Sequence, residues 1–95
     1  FDNTSGLIQE EYTKQNWLVV TETRFMVLQG NNMTASFFLK ECKKIKCEHQ
    51  VNCGIVTVTT KENQTTCVAR FSMRHIIRVS YVVRGAQTIV EALTF

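Results

Sequence analysis

The chain has 95 residues, a formal net charge of +3 and no proline, and 44% of its residues are hydrophobic. This length favours one small domain over residues 1–95, built around a single core of modest stability. No run approaches the ~20 apolar residues of a membrane span, so no transmembrane segment is expected.

The first predicted elements are a short lead-in and an apolar run. Residues 1–16 mix polar and apolar side chains, which is typical of a lead-in or of one helical turn opened by Ser5. Trp17 begins an apolar run that continues to Leu28. The Gly-Asn-Asn sequence at residues 30–32 then predicts a hairpin turn, because glycine and asparagine tolerate positive φ.

Alternation predicts a half-buried strand over residues 33–40. Ala35, Phe37 and Leu39 fall on one face of this strand, and the residues of the other face are polar with one exception. That exception is Phe38, whose large apolar side chain is predicted to lie on the polar face.

A lysine-rich connection containing cysteines is expected over residues 42–53. Its lysines, together with Lys40, carry much of the positive charge of the chain. Such a loop can meet sulfated sugars or acidic lipid, but a solvated loop is the more common case. No aromatic residues are interleaved with the basic ones, so nucleic acid is not an expected partner.

The stretch from Cys53 to Cys67 has the pattern of a complete β-hairpin. A β-branched run at residues 55–60 is followed by a polar turn at 61–63 and a second extended run at 65–71. When the stretch is folded about its middle, the two cysteines fall opposite each other, so a cross-strand disulfide is geometrically plausible. Spacing alone leaves the three possible pairings of the four cysteines open.

The C-terminal part of the chain is predicted to form two further strands. A bend is expected at residues 72–75, an alternating strand at 79–83, a turn at 84–86 and a last strand at 88–95. The sum is one all-β domain, an antiparallel meander of about six strands over residues 17–95 with no interior helix.

Cysteine and asparagine motifs favour an oxidising, secreted setting. Small secreted domains are often stabilised by disulfides, and four cysteines lie close together in the middle of the chain: Cys42, Cys47, Cys53 and Cys67. Three asparagines match the N-glycosylation pattern: Asn3, Asn32 and Asn63. The sequence therefore predicts a secreted, disulfide-stabilised glycoprotein. No signal peptide is recognised, so the chain is expected to be a mature product.

Neither catalysis nor a metal site is indicated. Asp2 is the only aspartate, and neither His49 nor His75 lies beside a nucleophile motif or at a recognisable spacing from an acid partner. Zinc is the alternative for the connection, because four residues there are zinc-ligand types: Cys42, Cys47, His49 and Cys53. Their spacings are not the usual paired Cys-x-x-Cys, so no enzyme activity, metal or other cofactor is expected.

The order of features resembles that of a lipocalin of the odorant- and pheromone-binding type. Gln15-Asn16-Trp17 stands at the position of the family's Gly-x-Trp motif. The strand before Cys42 and Cys47 resembles the strand that leads into the family's Cys-x-x-x-Cys loop, although the loop here is one residue longer. Residues 63–67 resemble the Asn-Gln-Cys hairpin, and residues 79–85 resemble the strand and turn that follow it. Gln15 replaces the motif glycine.

This resemblance implies a partial or lipocalin-like barrel, shortened at its C-terminus, that carries a small hydrophobic molecule. Of the three possible cysteine connectivities, Cys42–Cys47 with Cys53–Cys67 is preferred, the second pair because of the hairpin geometry. The expected pocket residues share the inner face of the sheet: Phe37, Leu39, Val56, Val58, Phe71, Val79 and Tyr81. Tyr81 is expected to orient the ligand. The alternative is that the same side chains fill a packed core.

Two other binding functions remain open at the level of sequence. The hairpins and cysteines also resemble the latter part of a cystatin, a cysteine-protease inhibitor, with residues 29–32 near the place of its Gln-x-Val-x-Gly loop. A receptor-binding or immune-modulating module that uses an edge strand or the lysine-rich connection is the other possibility. Open edge strands invite pairing with a second chain, so a homodimer or a protein receptor is a further candidate partner.

Overall fold

The computed structural model describes the backbone of residues 8–13 and 16–94 and the side chains of residues 16–94. The described strands are β1 (Ile8–Thr13), β2 (Asn16–Val20), β3 (Arg24–Gln29), β4 (Asn32–Phe38), β5 (Cys42–His49), β6 (Cys53–Thr60) and β7 (Thr65–Ser72), and they are followed by the helix α1 (Ile76–Thr94). They form two antiparallel sheets, one in the order β1-β2-β3-β4 and the other in the order β5-β6-β7. The fold of the described residues is therefore mostly β, with one helix.

Hairpins connect β2, β3 and β4 of the first sheet. The turn expected at residues 30–32 is confirmed, since it joins β3 to β4 with Gln29 opposite Asn32 and with Gly30 at a φ of 60°. Glycine at the first central position suits the type II′ turn, whose twist matches that of the flanking strands. β1 lies inside the segment expected to be a lead-in or a helical turn, and it pairs with β2 instead. Ser5 lies outside the described residues.

The link between β2 and β3 is a side-chain-capped turn. The hydroxyl Oγ1 of buried Thr21 accepts hydrogen bonds from the backbone N–H groups of Thr23 (3.2 Å) and Arg24 (3.0 Å). Threonine can replace a backbone acceptor in this way, which stabilises tight turns. The apolar run that begins at Trp17 is thereby divided into two strands.

Both faces of the central strands of the first sheet are apolar. Leu18 and Val20 on β2, together with Phe25 on β3, are fully buried in the main core. The opposite face carries a second cluster, which consists of Val19, Met26 and Leu28 with Trp17 packed against it. Because side chains alternate across a strand, an unbroken apolar run predicts burial on both faces.

A 3₁₀ turn at residues 39–41 carries the chain from the first sheet to the second. The backbone N–H of Leu39 donates to the carbonyl of Thr23 at 2.8 Å, and the N–H of Lys61 donates to the carbonyl of Glu41 at 3.0 Å. The Leu39 side chain is fully buried. This turn therefore ties both sheets together at one point, and the strand predicted over residues 33–40 ends at Phe38.

The segment expected to be a lysine-rich loop is a strand. β5 pairs with β6 from Cys42 opposite Thr60 to His49 opposite Gly54. Ile45 on this strand is buried, whereas Lys43 and Lys44 are exposed. The prediction of a loop was wrong because a bulge between residues 42 and 44 interrupts the alternation by which a strand is recognised.

The hairpin of β6 and β7 is confirmed, but the predicted disulfides are not formed, and all four cysteines are free thiols. Cys53 lies opposite Ser72, whereas Cys67 lies opposite Thr57. The two cysteines are thus separated by roughly 15 Å along the strands, far beyond the ~6 Å between Cα atoms that a disulfide requires. Cys42 and Cys47 lie on the same extended strand and are separated by a similar distance.

The strands predicted at residues 79–83 and 88–94 were wrong, because α1 occupies residues 76–94. Phe95, the last residue of the second predicted strand, lies outside the described residues. The bend expected at residues 72–75 is a 3₁₀ turn, Met73–His75, that leads directly into this helix. The buried side chains recur at helical spacing: Val79, Val82, Val83, Ala86 and Val90. None of the described helices is long and apolar enough to cross a membrane.

Helix α1 closes the core between the sheets and covers the edge of β5. The backbone N–H of Ile45 on β5 donates to the side-chain Oε1 of Gln87 at 2.8 Å. The buried core contains residues of both sheets and of α1: Leu18, Val20, Phe25, Val27, Leu39, Cys42, Ile45, Val56, Val58, Ala69, Phe71, Val79, Val82, Val83, Ala86 and Val90. The described strands do not form the expected lipocalin-like barrel, because they remain two separate sheets.

Candidate functional site

The structure brings together six of the seven residues predicted to line a ligand pocket. Five are buried in the main core, namely Leu39, Val56, Val58, Phe71 and Val79, and Phe37 packs against that core. Tyr81 lies apart from them on the outer side of α1, where 65% of its surface is exposed. The inner sheet face thus contacts α1, as the packed-core alternative expects.

An open cleft of about 350 Å³ lies where the first sheet, the 3₁₀ turn and the end of α1 meet. Its lining comes from three parts of the chain: Glu22 and Thr23 in the link between β2 and β3, Phe38 and Lys40 around the end of β4, and Leu93 in the last turn of α1. This volume lies within the usual range for small-molecule sites, ~300–1,000 Å³. We refer to it as the Phe38–Leu93 cleft.

Two large apolar side chains stand half exposed in this cleft. Phe38 is 48% exposed and Leu93 is 49% exposed. Phe38 is the residue that interrupts the polar face of its strand in the sequence, and the structure explains this, because its ring faces the cleft and not the core. Leu93 gave no such signal, since its segment was predicted to be a strand.

Charged groups border this apolar surface on one side. Lys40 and Glu22 line the cleft, and the guanidinium of Arg24 lies 5.3 Å from the centre of the Phe38 ring. That distance is within cation–π range. The Nε atom of Arg24 is buried and has no hydrogen-bond partner among the described groups. Two cations and one anion therefore border this apolar surface.

A second cleft of about 350 Å³ shares Lys40 with the first but differs in chemistry. It is lined by Glu41, Thr60, Lys61 and Glu62 in addition to Lys40. Both acidic and basic side chains line it, and its lining contains no large apolar residue. It lacks the combination of apolar surface and a few polar groups that is typical of small-molecule sites.

Two of the four thiols are sheltered by the core. Burial raises the pKa of Cys42 and of Cys47, because a thiolate is poorly solvated there. The hydroxyl of Ser80 on α1 lies 3.8 Å from the Cys47 sulfur and partly offsets this effect. Cys67 is exposed. A raised pKa disfavours the nucleophilic thiolate, so Cys42 and Cys47 have the environment of structural thiols.

The histidine and the cysteines considered for zinc do not converge. Among the described residues, no group of three or more His, Cys, Asp or Glu side chains is arranged to hold a metal ion. His49 is exposed at the end of β5. Cys42 and Cys47 lie roughly 15 Å apart on that strand, which exceeds the span of one tetrahedral site.

Two of the three predicted glycosylation sites lie at exposed turns. Asn32 follows the turn between β3 and β4, and Asn63 adopts a φ of 67° in the turn between β6 and β7. The side-chain Oδ1 of Asn63 accepts a hydrogen bond from Lys43 Nζ at 2.9 Å. Asn3 lies outside the described residues.

Comparison with known proteins does not assign this chain to a family. No protein-family model matches the chain, and neither does any curated protein or solved structure. The segment at residues 79–85, which contributed to the lipocalin resemblance, is helical. The function of this protein therefore has to be argued from the chemistry of its own surface.

Proposed function

We propose that this protein is a non-enzymatic binding protein for a small anionic amphiphile, a molecule with an apolar body and one acidic head group. The binding site is the Phe38–Leu93 cleft. The observation that carries this proposal is the convergence of two half-exposed apolar side chains from β4 and α1 on one cleft of ligand size. The hydrophobic-ligand function expected from the sequence is thereby moved from the sheet interior to its edge.

Desolvation supplies the affinity in this proposal. Each CH₂ group of a ligand that leaves water contributes about 0.8 kcal/mol. Four such groups against Phe38 and Leu93 contribute about 3 kcal/mol, before the entropy of association is subtracted. An aliphatic tail suits these two residues because neither offers a hydrogen bond.

The charges around the cleft select the head group. Lys40 lines the cleft and Arg24 stacks on Phe38, so a carboxylate or sulfate beside these two side chains is attracted by two cations. Glu22 lines the same cleft and repels an anion. Attraction by Lys40 and Arg24 and repulsion by Glu22 together favour a head group with one negative charge, placed on the Lys40 side of the cleft.

We further propose that the protein works as a secreted glycoprotein. The exposed positions of Asn32 and Asn63 at turns support this, because the glycosylating enzyme needs access to the asparagine. This proposal does not depend on disulfides, because all four cysteines are free thiols in the described structure. Expression through a eukaryotic secretory pathway, followed by mass spectrometry of the intact protein, measures the occupancy of each site.

Displacement of an environment-sensitive fluorescent fatty acid by dodecanoate tests the proposed site. We expect saturable binding that Leu93→Gln weakens about tenfold, since the substitution removes one apolar wall of the cleft. Ile77→Gln is the matched control, because Ile77 is an exposed aliphatic residue of the same helix but lies outside the cleft. Equal affinities of these two variants, or no saturable binding by the folded wild-type protein, would refute the proposal.

The head-group assignment has its own pair of variants. Lys40→Gln is expected to weaken dodecanoate binding about fivefold and to reduce its dependence on salt. Lys44→Gln removes the same charge from an exposed position on β5 and should leave binding unchanged. Dodecanol, which lacks the charge, should bind equally to the wild type and to Lys40→Gln.

A further inference from the structure

The outer side of α1 carries exposed apolar residues that the core does not need. Ile77 is 81% exposed and Tyr81 is 65% exposed. Arg84 and Thr88 follow on the same side and are also exposed. These four residues recur at intervals of three or four, so they form one line along the helix. We call this line the outer helix face.

The opposite side of α1 already supplies the contacts that hold the helix in place. Val79, Val82, Val83, Ala86 and Val90 are all buried against the sheets. Folding therefore explains the inner side of the helix but gives no reason for an isoleucine and a tyrosine on the outer side. Large apolar side chains exposed side by side, bordered by charge, are typical of interaction surfaces.

Up to Glu91, the charged residues of α1 and of the turn before it are all positive. No aspartate or glutamate occurs between Glu62 and Glu91, and this stretch contains four arginines: Arg70, Arg74, Arg78 and Arg84. Arg74, just before the helix, and Arg84, within it, are exposed. The partner of this face is therefore expected to be negatively charged.

The shape of the outer helix face favours a lipid surface over a protein as its partner. The line from Ile77 to Thr88 spans about 16 Å of a straight helix. Tyr81 lines two open clefts of about 320 and 230 Å³ and is 65% exposed, so its ring projects from the surface. A protein partner would need a matching acidic groove, whereas lipid head groups rearrange around projecting side chains. Tyrosine also favours the membrane–water interface, and arginine keeps its charge at the head groups there.

We infer that the outer helix face binds the surface of an anionic lipid bilayer, with α1 parallel to the membrane plane. Ile77 and Tyr81 enter the head-group region, and Arg74 and Arg84 interact with acidic lipids. This activity goes beyond the proposed ligand cleft and rests on different residues. Two apolar side chains and a few arginines give weak, reversible binding, in which each arginine contributes about fivefold in affinity.

Co-sedimentation with vesicles tests this inference. The purified wild-type chain is mixed with vesicles of phosphatidylcholine alone or with about 30% phosphatidylserine. We expect binding to the anionic vesicles only, with a strong decrease between about 50 and about 500 mM salt, because screening shortens the range of the arginine charges. Equal binding to both vesicle types, or none to either, would overturn the inference.

Matched variants locate the binding surface. Ile77→Ser and Val51→Ser each remove one highly exposed aliphatic side chain, since Val51 is 95% exposed in the link between β5 and β6. Arg84→Gln and Lys44→Gln each remove one exposed positive charge. We expect Ile77→Ser and Arg84→Gln to weaken vesicle binding about fivefold, and both controls to bind like the wild type. Circular dichroism and urea unfolding confirm that each variant is folded.

Two further outcomes separate this inference from its rivals. If Arg84→Gln and Lys44→Gln weaken binding equally, net charge and not the helix face is responsible, and the inference fails. If vesicles do not bind but an acidic peptide such as oligoglutamate binds in an Arg84-dependent way, the partner is a protein and the lipid assignment is wrong. Leu93→Gln should leave vesicle binding unchanged, so failure of the ligand cleft is distinguishable from failure of the lipid surface.

Discussion

The contact between Gly54 and Phe71 gives the sharpest test of the packing. These residues are directly opposite each other on β6 and β7, and Phe71 is buried in the main core. A Cβ atom built at Gly54 falls inside contact distance of the Phe71 ring, and even the ring atom Cε1 is only 3.0 Å away. The aromatic ring therefore occupies the space that any side chain at position 54 would need.

The magnitude of a Gly54→Ala substitution follows from two opposing effects. Alanine restricts the unfolded chain more than glycine does and so stabilises a strand by about 0.5–1 kcal/mol. Displacing a buried ring by an extra methyl group costs about 1–3 kcal/mol. Because the Phe71 ring is enclosed by the core, it has no free space into which it can move. We therefore expect a net loss of about 1–2 kcal/mol in the free energy of unfolding.

Urea unfolding of a double-mutant cycle checks this value. Gly54→Ala should lower the midpoint by about 1 M urea. Phe71→Leu removes the ring atoms that collide, so Gly54→Ala should cost almost nothing when it is combined with Phe71→Leu, with a coupling of about 1–2 kcal/mol. If the two effects add within about 0.5 kcal/mol, or if Gly54→Ala alone is neutral, the proposed register of β6 and β7 is refuted.

Other substitutions test the attachment of α1 and the burial of the thiols. Gln87→Met should cost about 1–3 kcal/mol in urea unfolding, because it leaves the Ile45 N–H without its acceptor. Leu39→Ala should cost about 2–5 kcal/mol in the same assay, since it leaves a cavity at the junction of the sheets. Burial raises the pKa of Cys42 and Cys47, so the native state retains these protons longer than the unfolded chain. Stability should therefore fall as pH rises above ~8.5, and replacing both by alanine should flatten this slope in unfolding measured at several pH values.

Local turn chemistry and strand alternation predicted much of the β structure. Glycine at position 30 is required by the backbone itself, because its φ is 60°, and the predicted turn lies where the structure has one. Ala35 and Phe37 face the core as the alternation of their strand predicts. These signals depend on neighbouring residues only, and the folded chain has little freedom to override them.

The helix was not predicted because a short stretch of this sequence fits both the period of a strand and the period of a helix. Val79, Tyr81 and Val83 alternate over five residues and are β-branched or aromatic, which favours a strand. Over a longer window, the buried positions up to Val90 recur every three or four residues, which is the helical period. Gly85, at the centre of the predicted turn, lies inside the helix. Tertiary packing of one apolar side outweighed the local preference for a strand.

The predicted pairing of Cys53 with Cys67 was wrong because β6 and β7 pair in a different register from the one assumed. The midpoint between Cys53 and Cys67 is residue 60, but Thr59 pairs with Thr65, which centres the turn on residue 62. A bulge next to Val56 shifts the register by one more residue. Small displacements of this kind move strand positions by several ångströms, so spacing between cysteines predicts a disulfide only when the turn is known.

The two sides of α1 explain why function is expected at the periphery of this fold. Its inner side packs against the sheet face that the sequence offered as a pocket, and Val79 belongs to the same buried core as Val56. Apolar residues available to a partner then include Leu93 near the end of the helix and Ile77 near its start. These residues are 16 positions apart, or about 24 Å along the axis. A ligand at Leu93 and a lipid surface at Ile77 therefore do not compete for space, so Leu93→Gln and the wild type should bind anionic vesicles equally.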